Sequence, residues 1–192
     1  MTATANDEAE LWRRALGNDG AAFAELFDRH RDRIYRRALG LMGSTHDADD
    51  VTAAAFFELW RRRRSVTPVE GSVLPWLLVT TVNLSRNSHR STMRYRRVLA
   101  QLPRDEPAAD AAVDDLDTRR RLADSLRSLA PVDAALFVLT VVEGFPIVDA
   151  AATVGLTPST ARVRLHRARA RLQADLHDLK PTTAPALEGN SL

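Results

Sequence analysis

Residues 147–172, IVDAAATVGLTPSTARVRLHRARARL, decide the reading of the C-terminal half. Gly155 stands four residues after Ala151, and Ala161 six after that. A small side chain at Ala151 lets two helices cross closely, and Gly155 can take the left-handed backbone that a tight turn needs. Val154 and Leu156 bracket the turn as core residues. Thr157 suits an N-cap and Pro158 the first helical position, so a second helix is predicted to start there.

That second helix places Ala161, Leu165, Ala168 and Leu172 on one apolar stripe. Ser159, Arg162, Val163, His166, Arg167 and Ala170 fall on the other side. Between Ser159 and Leu172 there are five arginines and no acid. A solvated surface helix can carry such charge too, but the small residue, glycine turn and cap ahead of it favour a major-groove reader. Arg162, Val163, His166 and Arg167 are expected to face base edges. Ser159, Thr160, Arg164 and Arg169 are expected to contact phosphates, which position a helix without reading sequence.

Working outward, no stretch alternates with a period of two, and the alanine, leucine and arginine content favours helix throughout. Amphipathic segments are predicted at Glu8–Leu16 and Ala21–Leu41, the second with Phe23, Leu26, Phe27, Ile34, Ala38 and Leu41 at helical spacing and Gly43 ending it. A third helix is expected to begin near Asp47. Asp47, Asp49 and Asp50 would complement its N-terminus, Val51, Ala55, Phe56, Leu59 and Trp60 would pack, and Arg61 to Arg64 would load its C-terminal end. A loop through Pro68 and Gly71 leads to a fourth helix, about 74–97. There Asn83, Asn87, Arg90 and Arg94 recur on one face, with Leu77, Leu84 and Tyr95 on another. Amides followed by arginines suit a surface that hydrogen-bonds bases and then tracks phosphates, although Asn83 and Asn87 could equally satisfy local backbone groups.

From Leu102 to Asp117 the composition changes: Pro103, Pro107, several alanines, and Asp105, Glu106, Asp110, Asp114, Asp115 and Asp117 stand against one arginine. This reads as a flexible acidic linker. Helical periodicity resumes at Arg119 and runs to about Leu179, before a tail expected to be disordered. The expected architecture is all-α, two small helical domains over residues 8–97 and 119–179, joined by a linker over 98–118 and followed by a tail over 180–192.

Composition narrows the function further. The 192 residues are 45% hydrophobic and 27% charged, inside the globular range. No cysteine is present, which excludes disulfides, thiolate metal sites and thiol nucleophiles and fits a reducing compartment. The first residues are polar and acidic rather than basic then apolar, and apolar runs are too short to span a bilayer, so an intracellular protein without membrane insertion is expected. Net charge is only +2, yet Lys180 is the sole lysine. Arginine's planar fork matches phosphates and guanine edges, though a high-GC genome would favour arginine as well. His30, His46, His89, His166 and His177 show no metal-ligand spacing, and there is no glycine-rich phosphate loop. No catalytic residue, cofactor or metal is expected; a helix N-terminus accounts for Asp47, Asp49 and Asp50.

The ordered set AFAELFDRHRDRIYRRAL (22–39), DADDVTAAAFFELWRRR (47–63), PWLLVTTVNLSRN (75–87), LRSLAP (126–131) and VVEGFPIVDAAATVGLTPSTARVRLHRARARL (141–172) resembles an extracytoplasmic-function (ECF) sigma factor of bacterial RNA polymerase. The resemblance covers about residues 21–175. It implies a non-catalytic cytoplasmic subunit whose partners are core RNA polymerase, promoter DNA and an anti-sigma factor. Residues 8–97 would bind the polymerase clamp through Asp49, Asp50, Phe56, Leu59 and Trp60, and would open the −10 element. Asn83 and Asn87 would lie beside a pocket for a flipped base, with Val66–Val73 as its wall and Arg90 and Arg94 further along. Residues 119–179 would read the −35 element. The linker would thread basic polymerase channels, or simply stay soluble.

The pattern departs where Ala53 and Ala54 replace a polar pair near the clamp contact, where Ala134 replaces a frequent arginine, and where Ala161 replaces a valine. Two rival readings follow from the residues. A self-sufficient helix-turn-helix regulator would bind duplex DNA tightly by itself, whereas a sigma factor would do so weakly until held by polymerase. A degenerate sigma-like sequestering module, which Ala53 and Ala54 keep open, would give no transcription at all.

Overall fold

The computed structural model describes residues 2–99 and 114–177. Among them every named element is helical: α1 Thr2–Leu16, α2 Gly20–Met42, α3 Thr45–Arg62, α4 Leu74–Leu99, α5 Asp114–Ser128, α6 Pro131–Phe137, α7 Ile147–Thr153 and α8 Pro158–Asp175. One 3-10 turn (Arg63–Ser65) follows α3, and a π turn over Val138–Val142 continues α6.

Local chemistry sets the boundaries. Asp19 caps α2 by accepting from the Ala21 and Ala22 amides, and Gly43, at φ 71°, ends it in the left-handed conformation. The start of α3 lies two residues before the expected Asp47, because the Ser44 side chain accepts the Asp47 amide and serves as N-cap. Helix α5 begins at Asp114, inside the stretch read as linker. Asp114, Asp115 and Asp117 therefore belong to a helix rather than to the linker. The rest of the acidic segment, 100–113, and the whole of the tail, 180–192, lie outside the described residues.

Helices α1 to α4 pack around Leu11, Leu26, Ile34, Phe56, Leu59, Leu77 and Leu78. That core does not stop at the N-terminal half: Leu136, Leu139, Ala150, Ala151 and Ala161 belong to the same buried cluster. A second cluster joins Leu41 and Val82 to Leu126, Leu129, Ala134, Val138, Ala168 and Leu172. The two halves are thus closed on one another, with α4 against α6 and α7 and α2 against α5. Polar contacts follow the same seam. Arg86 donates to the Leu126 carbonyl at 3.0 Å, and Arg127 to the Leu41 carbonyl at 2.5 Å.

Candidate nucleic-acid interface

Helix α8 is built as its sequence dictates. Thr157 accepts the Thr160 amide at 3.3 Å, Pro158 occupies the first turn, and Gly155 holds φ 71° between α7 and α8. Ala161, Leu165, Ala168 and Leu172 are buried. Ala150 and Ala151 are fully buried, so no side chain holds α7 away from its neighbours. Arg162, Val163, His166, Arg167 and Arg169 are exposed on the outward face, Val163 at 52%. An apolar side chain left in water among cations suits a base-edge surface, where it can meet a thymine methyl.

Three expected phosphate contacts have intramolecular partners. The hydroxyls of Ser159 and Thr160 converge on that of Thr157, at 3.0 and 2.9 Å. Arg164 does not stand free: its Nε donates to Asp133 on α6 at 2.7 Å. That ion pair docks α8 onto α6, and one face of the guanidinium is occupied within the fold.

On α4, Asn83 is half-buried and Asn87 exposed, one helical turn apart. The side chains of Arg90 and Arg94 lie outside the described residues. Immediately before α4, Val69 and Ser72 exchange backbone hydrogen bonds, each 3.0 Å, around Glu70 and Gly71 at φ 50° and 76°. The expected loop is therefore a tight turn with two left-handed residues, the backbone of a type I′ turn.

On α3, Asp49 and Asp50 are exposed, but Phe56 and Leu59 are buried at 3% and 0%. They are core residues, Leu59 wholly enclosed and Phe56 stacked edge-on against Phe27 with only its edge reaching the surface. Trp60 is half-buried between Phe23 and the Arg63 guanidinium. The residue the sequence reading missed is Phe57, 64% exposed, on the same face as Asp50 and Ala53. With Gly20, Phe23, Phe56 and Trp60 it lines an open apolar groove. A helical wheel was signal enough: Phe57 falls outside the stripe of Val51, Ala55, Phe56 and Leu59, as an apolar residue on a polar face.

Among the described residues no group of three or more His, Asp or Glu side chains is placed to hold a metal ion. No described helix is long and apolar enough to cross a membrane.

This geometry, a helical N-terminal unit closed on a capped helix-turn-helix with an outward arginine face, is that of a two-region DNA-binding protein. Residues 26–95 match Sigma-70 region 2, and residues 119–172 match Sigma-70, region 4. RNA polymerase sigma factor CarQ of Myxococcus xanthus is 34% identical over 84% of this chain and 94% of its own length. ECF RNA polymerase sigma factor SigE of Mycolicibacterium smegmatis is 32% identical over 83% of this chain, and the match spans 64% of that longer protein. The solved structure of CnrH in complex with the cytosolic domain of CnrY superposes with TM-score 0.60 at 26% identity, covering 91% of this chain and 99% of that one. The chain belongs to the extracytoplasmic-function sigma factors, the non-catalytic specificity subunits of RNA polymerase that direct promoter-specific initiation.

Proposed function

We propose that the chain grips one promoter at two places while held on core RNA polymerase. The outward face of α8 carries this reading: Arg162, Val163, His166 and Arg167 enter the −35 major groove, with Ser159, Thr160 and Arg169 on the flanking phosphates. Asn83 and Asn87 on α4 receive an unstacked −10 base, with residues 66–73 as the wall of its pocket, and Arg90 and Arg94 follow the strand away from it. Extruding a base costs a few kcal/mol, which a shaped pocket must offset. Residues 8–97 would act on the −10 element and polymerase, and 119–179 on the −35 element. Asp49, Asp50 and Phe57 form the polymerase-facing side of α3, with Trp60 at its border and Phe56 and Leu59 as its support.

The two halves must part for this. By their names the two elements lie about 25 base pairs apart, which is about 85 Å at 3.4 Å per step. Two touching units, each about 35 Å across, fall short of that span. The closed form is then the resting state, with the acidic segment as the tether that lets it open. The setting is the cytoplasm, where polymerase and promoters meet. As the family resemblance implies, an anti-sigma factor is the regulator; the similar CnrH is itself held in a complex, with the cytosolic domain of CnrY.

Run-off transcription on genomic fragments, using the purified chain with core polymerase, tests the reading. Discrete start sites that need the chain support it; no initiation anywhere refutes it. Permanganate footprinting of Asn83→Ala on a promoter found this way tests the −10 role, and normal melting would remove it.

A further inference from the structure

One oxygen atom, Oε1 of Glu8, accepts hydrogen bonds from three groups in two separate parts of the chain. His30 Nε2 on α2, the Ser72 hydroxyl and the Val73 backbone amide each lie 2.9 Å from it. Glu8 and His30 are both buried, at 6% exposure. Glu8 also precedes both matched regions, which begin at residues 26 and 119.

Burial by itself would push the Glu8 carboxyl up. The hydrogen bond and charge of His30, joined by the Val73 amide and the Ser72 hydroxyl, outweigh burial and hold it below its ordinary value. The group is therefore a carboxylate at neutral pH, and His30 Nε2 must carry the hydrogen between them.

The partners fix what the carboxylate is for. Ser72 closes the Glu70–Gly71 turn through its backbone bonds with Val69, and its hydroxyl also accepts the Leu74 amide at 3.1 Å, starting α4. Glu70 holds a left-handed backbone that a non-glycine residue keeps only when its surroundings enforce it. Glu8 accepts from Ser72, which closes that turn, and from Val73 just after it, and His30 ties Glu8 to the body of α2.

We propose that Glu8, held by His30, is a positioning residue for −10 recognition: it shapes the Val69–Ser72 turn before DNA arrives. The inference rests on the reading of residues 66–73 as the wall of the base pocket. A turn set in advance spares binding the cost of ordering it. Glu8 touches no nucleotide itself.

The full chain, reconstituted with core polymerase on a promoter mapped by wild-type run-off transcription, provides the test. In Glu8→Ala, permanganate-detected melting should fall about tenfold, while core binding and −35 duplex affinity stay within about twofold. Hydrogen exchange at the Val73 amide should accelerate in the same variant. Glu8→Gln keeps an oxygen acceptor without the charge, so melting should fall only about threefold.

Wild-type melting in a folded Glu8→Ala whose Val73 amide has been released would overturn the proposal. Should that variant not fold, wild-type melting by Glu8→Gln overturns it instead. Asn83→Ala separates the two levels of failure. If it melts promoters normally along with Glu8→Ala, the −10 reading itself has failed; if it alone is impaired, only the brace has.

Discussion

Arg37 and Glu143, 106 residues apart in sequence, meet across the seam between the two halves: Arg37 Nη2 lies 2.6 Å from Glu143 Oε1. Arg33 takes the other carboxylate oxygen at 2.7 Å, reaches the Glu143 carbonyl at 3.3 Å, and lies over the Phe145 ring. The Glu143 side chain is 5% exposed, whereas Arg33 and Arg37 stay partly in water. The π turn ending at Val142 presents this carboxylate, since the Glu143 amide bonds back to the Val138 carbonyl. One acid on the helix-turn-helix half is thereby clamped by two cations of α2.

Removing that acid should loosen the closed form. Glu143→Ala forfeits charge-assisted hydrogen bonds, at a cost of about 2 kcal/mol to the contact between halves. Small-angle scattering of the variant without polymerase should show a larger radius of gyration than the wild type, and higher salt should narrow the difference. An unchanged radius would mean that the shared apolar seam closes the molecule without the clamp.

The arginines of α8 should divide by environment. Arg167→Ala should cost about 1–3 kcal/mol on the preferred −35 sequence and less on others, as expected of a base contact. Equal loss on every duplex would make Arg167 a phosphate contact. Arg164→Ala should act differently, because its guanidinium already holds Asp133. Thermal stability should fall by about 0.5–1 kcal/mol, with the DNA sequence preference kept. Fluorescence anisotropy with matched and scrambled duplexes, beside thermal melts, separates the two.

The legible parts of this molecule are those where one local rule decides. Gly43, Gly155, Thr157 and Pro158 each set a helix end by their own chemistry, and they stand where that chemistry puts them. The buried stripe of α8 follows from period alone. The closing of the halves was not legible. It depends on Leu41 and Val82 meeting Leu126 and Leu129, and such residues read as the core of their own domain until both domains are placed. Arg164 and Glu143 were missed for the same reason, since their partners are 31 and 106–110 residues away. Phe56 and Leu59 were given a partner's role on resemblance, although their helical stripe already placed them inside.

Glu8 also makes a prediction about acid. A carboxyl whose folded pKa is depressed adds stability in full above its unfolded value, about 4.3, and loses that share as pH falls through the lower folded value. Glu8→Gln should therefore be less stable than wild type by about 2 kcal/mol at pH 7, and the gap should shrink below about pH 4. Urea unfolding at pH 7, 4 and 3 measures it, with those three values chosen to bracket the ordinary carboxylate range. A gap independent of pH would show that folding leaves the Glu8 pKa unchanged, and a gap that grows as pH falls would show that it is raised.

Adjacent phenylalanines on α3 give the sharpest contrast between packing and binding. Phe56 is 3% exposed against Phe27, so Phe56→Ala should cost about 3–5 kcal/mol of stability through the cavity it leaves. Phe57 is 64% exposed, and Phe57→Ser should change stability by no more than about 0.5 kcal/mol. If the outward side of α3 is what polymerase grips, Phe57→Ser should nonetheless weaken core binding about tenfold, because an aromatic anchor at the centre of an interface is commonly worth more than 1 kcal/mol. Competition for core polymerase against the labelled wild-type chain reads this directly. Full competition by Phe57→Ser would place the contact elsewhere, and Ala53 and Ala54 would then lose their interest as departures on a working face.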